Sequence, residues 1–220
     1  MNKGILLALL LAVSGLAFAI QPAQGWTVVS TSKLTPGTNA NVTTEGGNVT
    51  NLNLAGNVST EKWAGYWGNV SGRLVLAPSS GSLFYTWAWT SANGGEVCAV
   101  AAPSGFNWAT LALPVAAQID TAFGFLTGET DATAGTLTTG CTVGVAGQNP
   151  AGLGNYTGVG GFQTCAISDG GTAKANYAFC VNITQGGSLF NGATGDYELL
   201  APTNSTAGAF ETHYFWLELD

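Results

Sequence analysis

Four cysteines, seven N-glycosylation sequons, one histidine and twelve acids are the residues of this chain whose types and spacing could do chemistry. Cys98, Cys141, Cys165 and Cys180 form no Cys-x-x-Cys pair, and the histidine lies far from any metal-like spacing, so a zinc site is not indicated. An even number of cysteines in an exported chain points instead to two disulfides. Three pairings are open. We favour Cys165 with Cys180, because both lie in strand-like runs flanking a Gly170-Gly171 turn. Asn41, Asn48, Asn57, Asn69, Asn155, Asn182 and Asn204 each stand in Asn-x-Ser/Thr with x not proline, the acceptor pattern for N-glycans. Asn69 and Asn182 have apolar neighbours and are the two expected to be buried.

Catalytic constellations are poor. His213 lies among Tyr214, Phe215 and Trp216 in a terminal strand-like run, where packing is its expected role, and a Ser-His-Asp triad would have to use it. Pro78-Ser79-Ser80-Gly81 reads as a turn, not a nucleophile elbow. The acids Glu96, Asp120, Glu129, Asp131, Asp169, Asp196 and Glu198 are scattered at loop-like positions, so no pair suggests glycoside hydrolysis. Glu129-Thr130-Asp131, with Asp120 upstream, offers hard oxygens but lacks calcium-loop spacing. No catalytic residue, metal or cofactor is assigned, and the chain is read as non-enzymatic. Trp63, Tyr66, Trp67, Trp87, Trp89 and Trp108 could stack on sugar rings, though core packing is expected first.

The elements that must position these residues are strands. Short alternating runs at 26–30, 49–54, 73–77, 83–90, 97–101, 142–146, 162–168, 176–183, 197–201 and 210–219 are punctuated by Gly, Asn, Pro and Ser. In the fourth, Leu83, Tyr85, Trp87 and Trp89 share one face. Only 116–126 could hold a short helix. The fold class is therefore all-β, an antiparallel sandwich of jelly-roll or Ig-like type, with long Gly/Thr-rich loops at 31–47 and 128–161.

Hydrophobic residues make up 46% of the chain and charged residues only 8%, against a usual share of about 25%. Thr, Ser, Asn and Gly must then keep the surface soluble, helped by glycans. A net charge of −7 argues against nucleic acid and anionic membrane as partners. Lys3 precedes an apolar run from Ile5 to Ile20, and Ala17-Phe18-Ala19 supplies the small-x-small cleavage pattern. The expected organisation is a secretory leader at 1–19, cut after Ala19, with Ala23-Gln24-Gly25 as a second candidate site and a mature start near Ile20 or Gln24. An N-terminal strand and flexible connector at 20–47 and a sandwich domain at 48–220 follow. A pilin-type leader is the competing reading of the same run.

The runs GGNVTNLNL (46–54), TEKWAGYWGNVSG (60–72), LFYTW (83–87), DYELLAP (196–202) and HYFWLEL (213–219) resemble a family of archaeal secreted surface proteins. The resemblance implies export, N-glycosylation and a β-sandwich, and supplies no catalytic residue. The cysteines and the 128–161 stretch fall outside it. More weakly, the layout is similar to archaeal extracellular filament subunits that lend an N-terminal strand to a neighbour. The expected role is a subunit of a cell-surface filament or coat, self-associating into a homopolymer. Its donor strand would be built on Trp26, Val28 and Val29. A monomeric adhesin or carbohydrate-binding module, with surface glycans as partners, is the alternative, and a type IV pilin-like subunit a further one.

Overall fold

A computed structural model describes residues 20–35, 41–89, 94–126, 128–157, 161–204, 206 and 208–220; the leader expected at 1–19 lies outside them. The strands in chain order are β1 (Gln21–Pro22), β2 (Trp63–Gly68), β3 (Arg73–Leu76), β4 (Tyr85–Ala88), β5 (Glu96–Val100), β6 (Thr139–Thr142), β7 (Ala151–Thr157), β8 (Phe162–Ser168), β9 (Tyr177–Asn182), β10 (Gly187–Ser188), β11 (Thr194–Gly195), β12 (Tyr197–Pro202) and β13 (Tyr214–Glu218). Helices α1 (Ala116–Phe123) and α2 (Thr133–Thr136) lie between β5 and β6. α1 ends at Gly124, whose φ of 76° is the left-handed conformation of a helix stop.

One antiparallel sheet of seven strands, ordered β1-β13-β5-β9-β8-β7-β6, dominates this all-β sandwich. Its central strands β5, β8 and β9 are buried on both faces, so they read as nearly continuous apolar runs. The period of two still sorts them. Val97, Ala99, Phe162, Ala166, Tyr177, Phe179 and Val181 point to one core, where Leu199 and Ala201 of β12, Trp63 and Tyr66 of β2, and Ile119 and Phe123 of α1 cover them. Cys98, Val100, Cys165, Ile167, Ala178 and Cys180 point to the other, covered by Ile20, Phe106, Trp108, Val143 and Val145. Each large side chain so buried contributes roughly 1.5–3 kcal/mol. The second layer is the two-stranded β12-β2 sheet.

The disulfide pairing differs from the one favoured above: Cys98 bonds Cys180, and Cys141 bonds Cys165. Cys165 and Cys180 are indeed register partners on adjacent β8 and β9. Cys180 also faces Cys98 as its antiparallel register partner on β5, with the two Cα atoms 4.0 Å apart. Cys165 then reaches Cys141 on β6 across the intervening strand β7. That crossing needs glycine. A Cβ on Gly152 would lie 2.6 Å from Cys165 Sγ and 2.5 Å from the Ala166 carbonyl oxygen, and one on Gly154 would lie 2.8 Å from Cys141 Cβ.

Two expected strands are absent. Residues 26–30 and 49–54 are unpaired and exposed, because strand propensity without a neighbour to take the backbone hydrogen bonds does not make a strand. The strand expected at 142–146 lies instead at Thr139–Thr142. The chain enters the sheet earlier and later than expected. Ile20 is buried, β1 pairs with β13 (Gln21 opposite Leu217, Pro22 opposite Trp216), and the Ala23 N–H donates to the Phe215 carbonyl at 2.9 Å. Among the described residues the next strand is β2, so residues 48–59, expected within the sandwich, carry no strand.

Candidate functional site

Two elements project from the sandwich with apolar side chains in solvent. The first is the arm described at 24–35 and 41–59, which exposes Trp26 (79%), Val28 (65%), Val29 (93%), Leu34, Val42, Val49, Leu52, Leu54 and Val58. It is tied at its root by the Lys33–Glu61 ion pair. The second is the β3-β4 hairpin, whose eight residues are all exposed and which pairs with no other strand among the described residues. Its register sets Leu74 opposite Trp87 and Leu76 opposite Tyr85. Those four share one face by the alternation of strand side chains. Tyr85 and Trp87 meet edge to face at 4.8 Å. At the hairpin's base, Val70 and Trp89 turn back into the main core. An isolated two-stranded ribbon is marginally stable in water, so this face calls for cover.

The aromatic set picked out in the sequence is thereby divided among surfaces. Trp63 packs on Phe125 and Phe179, Tyr66 on Phe215, Trp108 on Phe106 and Trp216, and Trp89 joins the core. Trp67 pairs with Phe190 at a separate exposed spot. Six residues that looked like one platform thus belong to several neighbourhoods. The hairpin face, with Leu74 and Leu76 beside the two rings, was hidden from the sequence because cross-strand register decides it.

His213 is half-buried and fully engaged. Its Nε2 is 3.0 Å from the Pro202 carbonyl oxygen, which can only accept, so Nε2 carries the proton and Nδ1 accepts from the Tyr66 hydroxyl at 2.9 Å. Burial pushes its pKa below the ordinary histidine value, in keeping with a neutral ring that fastens β2 and β12 to the start of β13. Among the sequons, Asn41, Asn48, Asn57, Asn69 and Asn182 are exposed and Asn155 and Asn204 half-exposed. Asn69 and Asn182, expected to be buried, are therefore in solvent: Asn69 follows the end of β2, and Asn182 is the last residue of β9.

The carboxylates fall into separate structural tasks. Asp120 accepts the Thr133 N–H at 2.8 Å, and Asp196 accepts the Val70 N–H at 2.8 Å. Glu129 and Asp131, the hard-oxygen pair, hold the chain's own Lys62 ammonium at 3.1 and 2.7 Å. Glu96 and Glu218 face each other across β5 and β13, both buried. A concavity of about 320 Å³ near the ends of β6 to β9 is lined by Thr142, Tyr156, Phe162, Gln163, Asn182 and Thr184 and by neither a carboxylate nor a histidine. Among the described residues, no group of three or more His, Cys, Asp or Glu side chains could hold a metal ion, and no helix is long and apolar enough to cross a membrane. No protein-family model, curated protein or solved structure matches the chain.

Proposed function

We propose that this protein is a non-enzymatic structural subunit of an extracellular filament or coat, exported, N-glycosylated, and joined to its neighbours by the N-terminal arm. The observation that carries the reading is the arm itself. Trp26, Val28 and Val29 lie free of their own core, immediately after a short strand that anchors the chain to β13. The two disulfides fit an oxidising compartment. Exposed sequons fit glycan attachment, which would add the hydration that scarce charges do not supply.

Energetics favour a strand laid on the hairpin over a loose contact. Burying Trp26 and one valine contributes roughly 1.5–3 kcal/mol each, less than or similar to the about 4–15 kcal/mol lost in association. A strand added along a β3 or β4 edge also satisfies backbone groups and covers Leu74, Leu76, Tyr85 and Trp87, which closes the gap. Arm and hairpin together carry few charges on a chain of net charge −7, so they are where acidic copies can approach. In sedimentation analysis, a synthetic 24–35 peptide is expected to bind the subunit and block its association, and Trp87→Ser to abolish both effects. If the subunit is monomeric with or without peptide, the exposed Tyr85–Trp87 pair supports a carbohydrate-binding adhesin instead.

A further inference from the structure

Lys62 is the first buried residue after the exposed arm, only 8% accessible, and its Nζ faces two carboxylates. Asp131 Oδ1 lies 2.7 Å away and Glu129 Oε2 3.1 Å away. Asp131 is held on both sides: the Thr60 hydroxyl donates to Oδ2 at 2.7 Å, and the Trp63 indole N–H donates to its main-chain carbonyl at 2.7 Å. The Trp63 ring itself packs on Phe125 at 5.9 Å. A charge pair needs one acid and one base. Here a second acid touches the same nitrogen, and a hydroxyl is already aimed at the carboxyl oxygen on which negative charge would develop during attack.

We propose that Lys62 and Asp131 become joined by a side-chain amide bond, formed within the folded protein with Glu129 as proton carrier. The Lys62 ammonium gives a proton through Glu129 to the Asp131 carboxylate, and the free amine attacks Cγ of the resulting carboxylic acid. The carbon–oxygen bond then breaks, and that oxygen leaves as water with two of the three ammonium protons, one of them delivered by Glu129. The third remains on the amide nitrogen. Ammonium plus carboxylate become amide plus water, so atoms and charge balance without a co-reactant. Reactants held in contact need no encounter, which is the main contribution of pre-positioning. Hydrogen bonding to Asp131 raises the Lys62 pKa, and the same bond lowers that of Asp131, so the unreacted state is ionic and release of the first proton is the slow step. The product removes the charge of the buried Lys62 together with that of Asp131, whose side chain is 40% exposed.

The location gives the bond a use. A pull on the arm reaches the sandwich at both of its ends, at Ala23 and at residues 60–62, and a covalent tie from Lys62 to the loop between α1 and α2 would carry the load arriving at the second end past β2 into the core. The chemistry stands whether or not subunits assemble.

The test is mass analysis of the folded, full-length protein after warm incubation, disulfide reduction and glycan removal. The expected result is an intact mass lower by one water, a branched proteolytic peptide joining residues 62 and 131, and no trypsin cleavage after Lys62. Lys62→Arg keeps the positive charge and is expected to show the full mass with an unchanged circular dichroism spectrum, and Glu129→Gln to lose the cross-link. Wild-type protein that is folded yet keeps its full mass and is cut after Lys62 would overturn the proposal. So would loss of water in Lys62→Arg, which would place the dehydration elsewhere.

Discussion

Acidification should stabilise this fold, and the reason lies where β5 meets β13. Glu96 and Glu218 are register partners, 5% and 3% accessible. Glu218 Oε2 accepts the Ala146 N–H at 2.6 Å, whereas Glu96 Oε2 is buried without a partner. Burial first, then the charges of Asp220 and Glu218, push the Glu96 pKa up to about 8. Burial also raises that of Glu218, against the Ala146 hydrogen bond. In the unfolded chain Glu96 ionises near its ordinary value of about 4.3. Between that value and about 8 the folded state holds a proton the unfolded state has lost. Its stabilising contribution is therefore complete below the unfolded pKa and falls as pH rises through the window, by up to about 1.4 kcal/mol per pH unit. The ceiling over the whole window is about 5 kcal/mol, and water reaching a carboxyl at the end of a strand reduces it.

Urea unfolding at several pH values and fixed ionic strength, on wild type and Glu96→Gln, measures this directly. The glutamine resembles the protonated acid in shape and neutrality. The variant should match wild type near pH 4 to within about 1 kcal/mol and exceed it by a few kcal/mol near pH 8. Wild-type stability that rises or stays level from about pH 5 to about pH 8, or a variant that tracks wild type at every pH, would refute the reasoning.

Other outcomes follow from the core. Gly152→Ala forces a methyl against Cys165 Sγ and the Ala166 carbonyl oxygen, and should lower stability in urea by about 1–3 kcal/mol or slow closure of the Cys141–Cys165 bond in an oxidative refolding assay. Replacing Cys98 and Cys180 by serine opens a link spanning 82 residues, and replacing Cys141 and Cys165 one spanning 24. Chain entropy gives losses of about 4.5 and about 3.5 kcal/mol, so the first pair should be the more destabilising by denaturant midpoint. His213→Ala strands the Tyr66 hydroxyl and should reduce stability by about 1–3 kcal/mol in thermal melts. A turnover activity that disappeared with the fold intact would give His213 a role beyond packing.

Where a segment's own residues decide its structure, the sequence was a good guide. Phe162–Ser168 is a strand at the expected bounds, 176–183 and 197–201 are correct to within a residue, and the helix anticipated at 116–126 is Ala116–Phe123. Expectation failed where a partner decides. The runs at 26–30 and 49–54 have strand-like residues, yet no strand pairs with either among the described residues, so they stay exposed. Disulfide pairing turned on strand order. Cys180 has a cysteine in register on each side, Cys98 and Cys165, and nothing local says which it takes. A signal was present in Ala151-Gly152-Leu153-Gly154, where alternate glycines mark a strand face that another group must cross. The Lys62 cluster was half visible: Glu129 and Asp131 stood out as hard oxygens, but the cation they hold is 69 residues from Asp131 in the chain.

Electron microscopy of the concentrated mature protein, beside a variant lacking residues 24–35, tests the assembly account most directly. The deletion keeps Ile20 to Ala23, which belong to the subunit's own sheet, and removes the exposed Trp26, Val28 and Val29. Filaments or sheets from wild type, and a folded monomer with native circular dichroism from the variant, are the predicted pair of results. Wild-type protein that stays monomeric at high concentration, or a deletion variant that still polymerises, would contradict the account.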